Sequence, residues 1–350
     1  MRHRILGGTG IEVSTHCLGT MMFGSAGNPD HEDSIRIIHT ALDHGINFVD
    51  TADMYSAGES EEIVGKALQG RRDDVVLATK VHFPMGEGPN RGGNSRRWIV
   101  REVEASLKRL RTDWIDLYQI HRPDHRTDIE ETLSALTDLV RQGKIRAFGS
   151  SAFPAHETVE AYHVARQRGL YRFRTEQPPY NILARGIEGD VLPTAQRLGL
   201  GVLTYSPLGW GFLTGRYRKG RHVDLAQGRA ARAPERFDPS IPVNAAKLDV
   251  VEELVKLADE IGCTLPALAI AFAASHPAVT SVILGPRTME QLEGLLKGAS
   301  LVLDDSVLDR IDELVPPGTN IYHPVGLWSP APLIDPALRR RPVGDRAAAS

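Results

Sequence analysis

The chain switches repeatedly between two periodicities, and this alternation narrows its fold more than any other feature. Short apolar runs read as strands at His16–Gly19, Asn47–Asp50, Val75–Lys80, Ile115–His121, Ile145–Ser150, Phe173–Gln177, Gly201–Tyr205 and Val279–Leu284. Their near-continuous apolar character suits strands buried on both faces, as in a parallel sheet covered by helices. Helix-period segments separate the first seven of them: His31–His44, Glu59–Leu68, Ser95–Leu110, Asp128–Arg141, Ala155–Arg168 and Gly189–Leu198. Val243–Ile261 and Pro266–Ala274 precede the last strand, and Met289–Lys297 follows it. In Ser95–Leu110 a serine stands at the N-cap position, and Ile99, Val103, Leu107 and Leu110 share one face.

Eight strands alternating with helices make one circuit of a (β/α)8 TIM barrel, an α/β fold whose core commonly takes about 250 residues. A doubly wound sheet also alternates but opens on a glycine-rich strand-to-helix turn. Here Gly8-Thr9-Gly10 lacks the third glycine, and Arg2–Val13 reads instead as an N-terminal hairpin turning at Gly7–Gly10. The length of 350 residues is then taken up by one domain. Its core runs over about 14–300, with a long loop after the seventh strand (Pro207 to Pro242) and a C-terminal helix and tail over 301–350. A loop of that length is expected to cover a functional surface.

A formal net charge of −3 gives no reason to expect nucleic acid or an anionic membrane as a partner. Arg339-Arg340-Arg341 is too short a cluster to change that. Cys17 and Cys263 are expected to be free thiols, and no Cys/His cluster has the spacing of a zinc site. Neither a signal-peptide segment nor the ~18 apolar residues of a membrane span is found, so the expectation is a cytoplasmic protein.

In a barrel of this kind, chemistry gathers where strands end at the C-terminal face. Reading the strand ends yields Asp50, Lys80 and His121, with Tyr55 in the loop after the second strand. Each has a bland explanation: a turn cap, a snorkelling lysine, a core histidine. Together they form a device. Asp50 and Lys80 on adjacent strands offset each other's burial. A cation near Tyr55 is expected to lower its pKa from ~10, which would make it a better acid near neutrality. His121 is placed to orient a carbonyl oxygen. No serine or cysteine supplies a nucleophile, so a hydride from a cofactor is the natural complement.

Seven stretches resemble the aldo-keto reductase superfamily in the order that family has them. They are Gly45–Ala52, Ala78–Lys80, Asp113–His121, Gly149–Ser151, Glu176–Asn181, Tyr205–Gly209 and Gly285–Thr288. Pro316–Asn320 is further similar to bacterial members of the branch containing potassium-channel beta-subunit-like reductases. The resemblance implies NADPH-dependent reduction of an aldehyde or ketone, with Asp50, Tyr55, Lys80 and His121 as the catalytic tetrad. Gly19, Thr20 and Met21 would contact the cofactor after the first strand. Ser151 and Gln177 would hold the nicotinamide carboxamide, and Tyr205 would stack on its ring. Ser206, Leu208, Gly209 and Gly211 would embrace the pyrophosphate. Gly285, Arg287 and Thr288 would take the 2′-phosphate, with Gln291 at the adenine. Two departures stand out: Ala152 where the family has asparagine, and Gly294-Leu295 where it has an acidic residue and asparagine.

The substrate pocket is expected from Met22, Phe23, His82, Phe83 and the aromatic tail around Tyr322 and Trp328. Its apolar character suits a medium-sized carbonyl compound. Self-association is left open. The alternatives are a cofactor-binding regulatory subunit with little turnover, and a metal-dependent hydrolase using Asp50, Asp53, His82 and His121. Lys80 opposes the second, because it places a cation where a metal would sit.

Overall fold

The computed structural model describes residues 1–221, 230–321, 333 and 335–345. Two short strands, β1 (His3–Ile5) and β2 (Glu12–Ser14), pair antiparallel as the expected hairpin. Eight parallel strands follow and close on themselves: β3 (His16–Gly19), β4 (Phe48–Asp50), β5 (Val76–Val81), β6 (Ile115–Ile120), β7 (Ile145–Ser151), β8 (Thr175–Gln177), β9 (Gly201–Thr204) and β10 (Val279–Leu284). Each pairs with its neighbours in sequence, and β10 returns to pair with β3. The fold is the (β/α)8 barrel.

The helices of the ring are α1 (His31–Asp43), α2 (Glu59–Ala67), α3 (Arg96–Leu110), α4 (Ile129–Arg141), α5 (Ala155–Arg168), α6 (Val191–Leu198), α7 (Pro242–Glu260), α8 (Leu265–Ser275) and α9 (Met289–Gly298). A further helix, α10 (Asp305–Leu314), follows the closed barrel. In α3 the Ser95 hydroxyl accepts the Trp98 N–H, and Ile99, Val103, Leu107 and Leu110 turn to the core. α8 is apolar on nearly every face because it is buried on nearly every face. Among the described residues, no single helix is long and apolar enough to cross a membrane.

Two apolar regions result. The larger lies between the sheet and the helices. The smaller fills the barrel itself: Cys17, Phe48, Ala78, Leu117, Ala147, Leu203 and Ile283 point inward, joined by Leu6 and Val13 of the hairpin. The hairpin closes the bottom of the barrel. Asn47 Oδ1 accepts from the Ser14 N–H at 2.7 Å, and Ser281 Oγ donates to the Ser14 carbonyl at 2.8 Å.

Side chains alternate along a strand, so two residues beyond an inward apolar residue comes another inward position. Phe48 is followed in this way by Asp50, Ala78 by Lys80, and Leu117 by Gln119 and then His121. The strand period thus stacks an apolar floor beneath a polar layer. The register aligns that layer, with Gly19 opposite Asp50, Lys80 opposite Gln119, Gln119 opposite Gly149 and Ser151 opposite Gln177.

Gly149 belongs to the same inward set, where β8 comes close. A Cβ there would stand 1.9 Å from Thr175 Oγ1 and 2.9 Å from the Thr175 carbonyl oxygen. Gly149→Ala should therefore lower the stability measured by urea unfolding by ~1–3 kcal/mol, the usual range for overpacking a filled interior.

Candidate active site

Asp50, at the end of β4, is almost completely buried. Its Oδ2 accepts from Lys80 Nζ at 2.5 Å, and its Oδ1 accepts from the side-chain amides of Gln119 at 3.0 Å and Gln177 at 2.9 Å. Gln177 also donates to Gln119 Oε1 at 3.1 Å. Lys80 is fully enclosed, and it gives its other protons to the Thr51 carbonyl at 2.8 Å and the Tyr55 hydroxyl at 3.2 Å. Burying either charge alone would be strongly unfavourable; together, with every donor of the lysine used, the pair is stable. Burial alone would pull Lys80 down. Asp50 and Tyr55 oppose it, and the lysine stays above its ordinary value.

The phenol of Tyr55 departs from expectation. Burial pushes its pKa up, and Lys80 pulls against that without overcoming it. The reason is that Asp50 accompanies the lysine: the carboxylate cancels much of the positive potential and itself pushes the phenol upward. Tyr55 is therefore a firmly protonated hydroxyl rather than one close to ionising at neutral pH.

The loop that carries Tyr55 is unusual backbone. Ser56, Ala57 and Gly58 are all left-handed, at φ of 49°, 55° and 99°. Arg109 of α3 packs where a Gly58 side chain would go, its Cδ 2.8 Å from the missing Cβ. The guanidinium is held by Glu61 at 2.6 Å and Glu102 at 2.5 Å, both buried, and Thr79 donates to Glu61 at 2.5 Å. Asp53, two residues before Tyr55, joins this pocket without a cation of its own. Burial, then Glu61 and Glu102, push its carboxyl well up, so it sits there as the neutral acid. On the opposite side, Ser56 Oγ donates to the Phe23 carbonyl at 2.9 Å, and Glu59 accepts from His31 at 2.6 Å and the Ser25 N–H at 2.7 Å. These contacts hold the tyrosine loop from both sides.

His121 faces Tyr55 edge to face, with ring centroids 5.9 Å apart, and packs against Phe83 at 4.9 Å. Burial, reinforced by Lys80 and Arg122, holds its pKa well below 6.5, so the ring is neutral imidazole. Its Nδ1 is buried with no hydrogen-bond partner among the described residues.

These groups stand at the floor of a cavity of about 2150 Å³. Pockets for one small ligand commonly occupy ~300–1,000 Å³, so this one has room for two molecules side by side. Asp50, Tyr55, His121, Ser151, Gln177 and Tyr205 reach its wall near the reacting end, and Lys80 acts from beneath it. Gly19, Thr20, Met21, Met22 and Phe83 line it after β3 and β5. It extends along Ser206, Leu208, Gly211, Arg216 and Gly285 to Arg287, Gln291 and Lys297. The loop after β9 bends sharply there, with Ser206, Gly209, Trp210 and Gly211 all left-handed. The turn is fixed from within, the Gly209 N–H donating to the Ser206 carbonyl at 3.0 Å and the Gly211 N–H to the Leu208 carbonyl at 2.9 Å.

Several expected residues lie elsewhere. Phe23 is fully buried in the core, because the turn closed by its N–H on the Thr20 carbonyl throws the ring inward. His82 is held by Asn94 at 2.8 Å behind Phe83 and does not face the cavity. Gly209 is buried within its turn. Thr288 caps α9, its hydroxyl accepting the Gln291 N–H, and Gln291 Oε1 accepts the Arg287 N–H at 2.8 Å. Tyr322 and Trp328 lie outside the described residues. The chain reaches that point from the mouth side, where the Arg185 N–H donates to the Thr319 carbonyl and the Ile321 N–H to the Leu183 carbonyl. Ala152 has a φ of 55°, a conformation in which asparagine is at ease and alanine is not. Gln119 was not anticipated. Its parity with His121, a polar residue in an inward position of an apolar strand, was the available signal.

Comparison with known proteins fits this geometry. The model of the aldo/keto reductase family matches residues 17–316. The chain belongs to that family. It is 40% identical to an uncharacterized oxidoreductase, YrpG, of Bacillus subtilis (strain 168), over 90% of this chain and 96% of that protein. It is 37% identical to a probable voltage-gated potassium channel subunit beta of Arabidopsis thaliana (90% and 97%) and to the aldo-keto reductase YhdN of Bacillus subtilis (93% and 96%). The chain is thus an oxidoreductase of the aldo/keto reductase family.

A further acid is buried close to the site. Glu176 is enclosed behind β7 and accepts from Ser150 Oγ at 2.5 Å and the Phe153 N–H at 3.1 Å. Burial raises its pKa to about 7 from 4.5. The unfolded chain ionises this group first, so its contribution to stability is full below about pH 4.5 and is lost as pH rises to about 7. Glu176→Gln removes that loss. The melting temperature of the variant, relative to the wild type, should rise between about pH 5 and about pH 8. A difference independent of pH would exclude this assignment.

Proposed function

We propose that the protein is an NADPH-dependent carbonyl reductase in which Tyr55 donates the proton. The observation that carries this reading is the contiguous Asp50–Lys80–Tyr55 chain of hydrogen bonds facing neutral His121 at the floor of the cavity. The neutral histidine and the tyrosine hydroxyl are both donors, and a carbonyl oxygen set between them accepts from both. As the carbonyl carbon gains a hydride, its oxygen becomes an alkoxide and takes the Tyr55 proton. Lys80 then stabilises the phenolate left behind. A tyrosine that stays protonated through the neutral range is always ready to donate.

The residues present fit a nicotinamide dinucleotide. NADPH supplies the hydride when bound, from its nicotinamide ring. Tyr205 would stack on that ring, and Ser151 and Gln177 would hold the carboxamide. The left-handed turn at Ser206–Gly211 would receive the pyrophosphate, and Arg287 the 2′-phosphate. Thr288 contributes by capping α9 beside Arg287, and Gln291 by fixing the Arg287 backbone. Leu295, Ala267 and Ile270 make the adenine end of the cavity apolar. A channel-associated regulatory role has the names of three relatives in its favour, while the intact proton relay favours turnover.

Tyr55→Phe keeps the ring and removes the proton. It should lower kcat for carbonyl reduction by ~10²–10⁴-fold while NADPH still quenches protein fluorescence with nearly unchanged affinity. Undiminished turnover would remove Tyr55 from the mechanism. Arg287→Ala should raise KM for NADPH by about tenfold or more and leave that for NADH nearly unchanged. Equal effects on the two cofactors would place the arginine away from the 2′-phosphate.

A further inference from the structure

The cavity carries its charge unevenly. Among the described residues its one acidic lining residue is Asp50, already paired with Lys80. The cationic lining residues are Arg122, Arg216, Arg287 and Lys297. Three of these gather on one side: Arg216 follows β9, Arg287 follows β10, and Lys297 is on α9. They lie on the side of the cavity that the proposed function gives to the cofactor phosphates. Arg122 is apart from them. It follows β6, and in the order β10-β3-β4-β5-β6 that strand is diametrically across the eight-stranded barrel from β10.

Arg122 is half-buried beside the reacting groups. Its Nη1 donates to the His121 carbonyl, and to Ser151 Oγ at 3.4 Å. Its guanidinium carbon lies 5.8 Å from the centre of the Phe83 ring, which forms the wall on that side. Among the described residues, Nε and Nη2 have no acceptor and no carboxylate forms an ion pair with the group. A guanidinium anchored by one nitrogen presents its remaining edge as a two-pronged donor, whose geometry matches a carboxylate. Partial desolvation strengthens such a contact, and the carboxylate on the cavity wall among the described residues, Asp50, is already held by Lys80.

We propose that Arg122 binds the carboxylate of the substrate, so that the compounds this protein reduces are carbonyl compounds bearing a carboxylate group. The inference rests on the reductase reading and names the substrate class of that same site. Arg122 fixes the acid group while His121 and Tyr55 hold the carbonyl oxygen, so the substrate is gripped at both ends.

The test compares 4-carboxybenzaldehyde with its methyl ester, using the full chain and NADPH. The wild type should favour the acid in kcat/KM by roughly 10- to 100-fold, the range expected for a hydrogen-bonded charge pair. Arg122→Met should bring the ratio close to one, and Arg122→Lys should recover part of it. As a readout independent of turnover, terephthalate should bind the NADP+-loaded wild type in calorimetry and bind Arg122→Met at least about tenfold more weakly. Reduction of both aldehydes without preference overturns the inference and leaves the reductase reading standing. So does a loss of NADPH affinity in Arg122→Met as large as the change in the ratio, which would assign the guanidinium to the cofactor. Reduction of neither aldehyde overturns the reductase reading, and this inference with it.

Discussion

The structure depends on a charge pair that water cannot reach. Lys80 is wholly enclosed and touches Asp50 at 2.5 Å. A lone ammonium there would shed its proton. Beside Asp50 the lysine stays above its ordinary value, and every feature around the pair serves that end. The barrel brings their strands side by side, the inward parity of β4 and β5 aims both side chains upward along the axis, and Gln119 and Gln177 satisfy the carboxylate oxygen that the lysine does not. What emerges at the cavity floor is a single ammonium proton directed at Tyr55.

Tyr55 itself is held by a different economy of charge. Three buried carboxyl groups, Asp53, Glu61 and Glu102, surround the one guanidinium of Arg109. The arginine satisfies two of them, and the third stays neutral because burial, and then the like charges of Glu61 and Glu102, push its carboxyl up. This cluster lies between α2, α3 and the sheet. It explains why a loop with three consecutive left-handed residues keeps one shape: Arg109 fills the space beside Gly58, and on the other side Ser56 and Glu59 bind the rim loop after β3.

Much of this was legible in the sequence, and physical reasons separate what was from what was not. The strand and helix order could be read because buried parallel strands and amphipathic helices differ in period, and the strand ends gave Asp50, Lys80 and His121 directly. Gln119 escaped notice because a polar residue within an apolar strand gains meaning only once inward and outward positions are known. Phe23 and His82 follow strands just as Met22 and Phe83 do, yet one turns into the core and the other onto Asn94. Sequence neighbours in a loop share an address but not a direction. The tyrosine differs from expectation for an electrostatic reason: the loss of water around the phenol, with Asp50 beside Lys80, outweighs the pull of the lysine. At Ala152 the sequence departure could be seen, while its left-handed backbone could not.

Asp50 accepts hydrogen bonds from three different strands, through Lys80 on β5, Gln119 on β6 and Gln177 on β8. A change at any one of these positions unbalances the other two, since a single carboxylate has no spare oxygen to accommodate a new partner. In evolutionary terms this predicts that the four residues behave as one heritable unit. They should be kept together or replaced together as such barrels diverge, while the loops around the mouth remain free to change length and composition. Side chains of the mouth that make no bond to these four, Phe83 among them, are therefore the ones that can change without disturbing the charge pair.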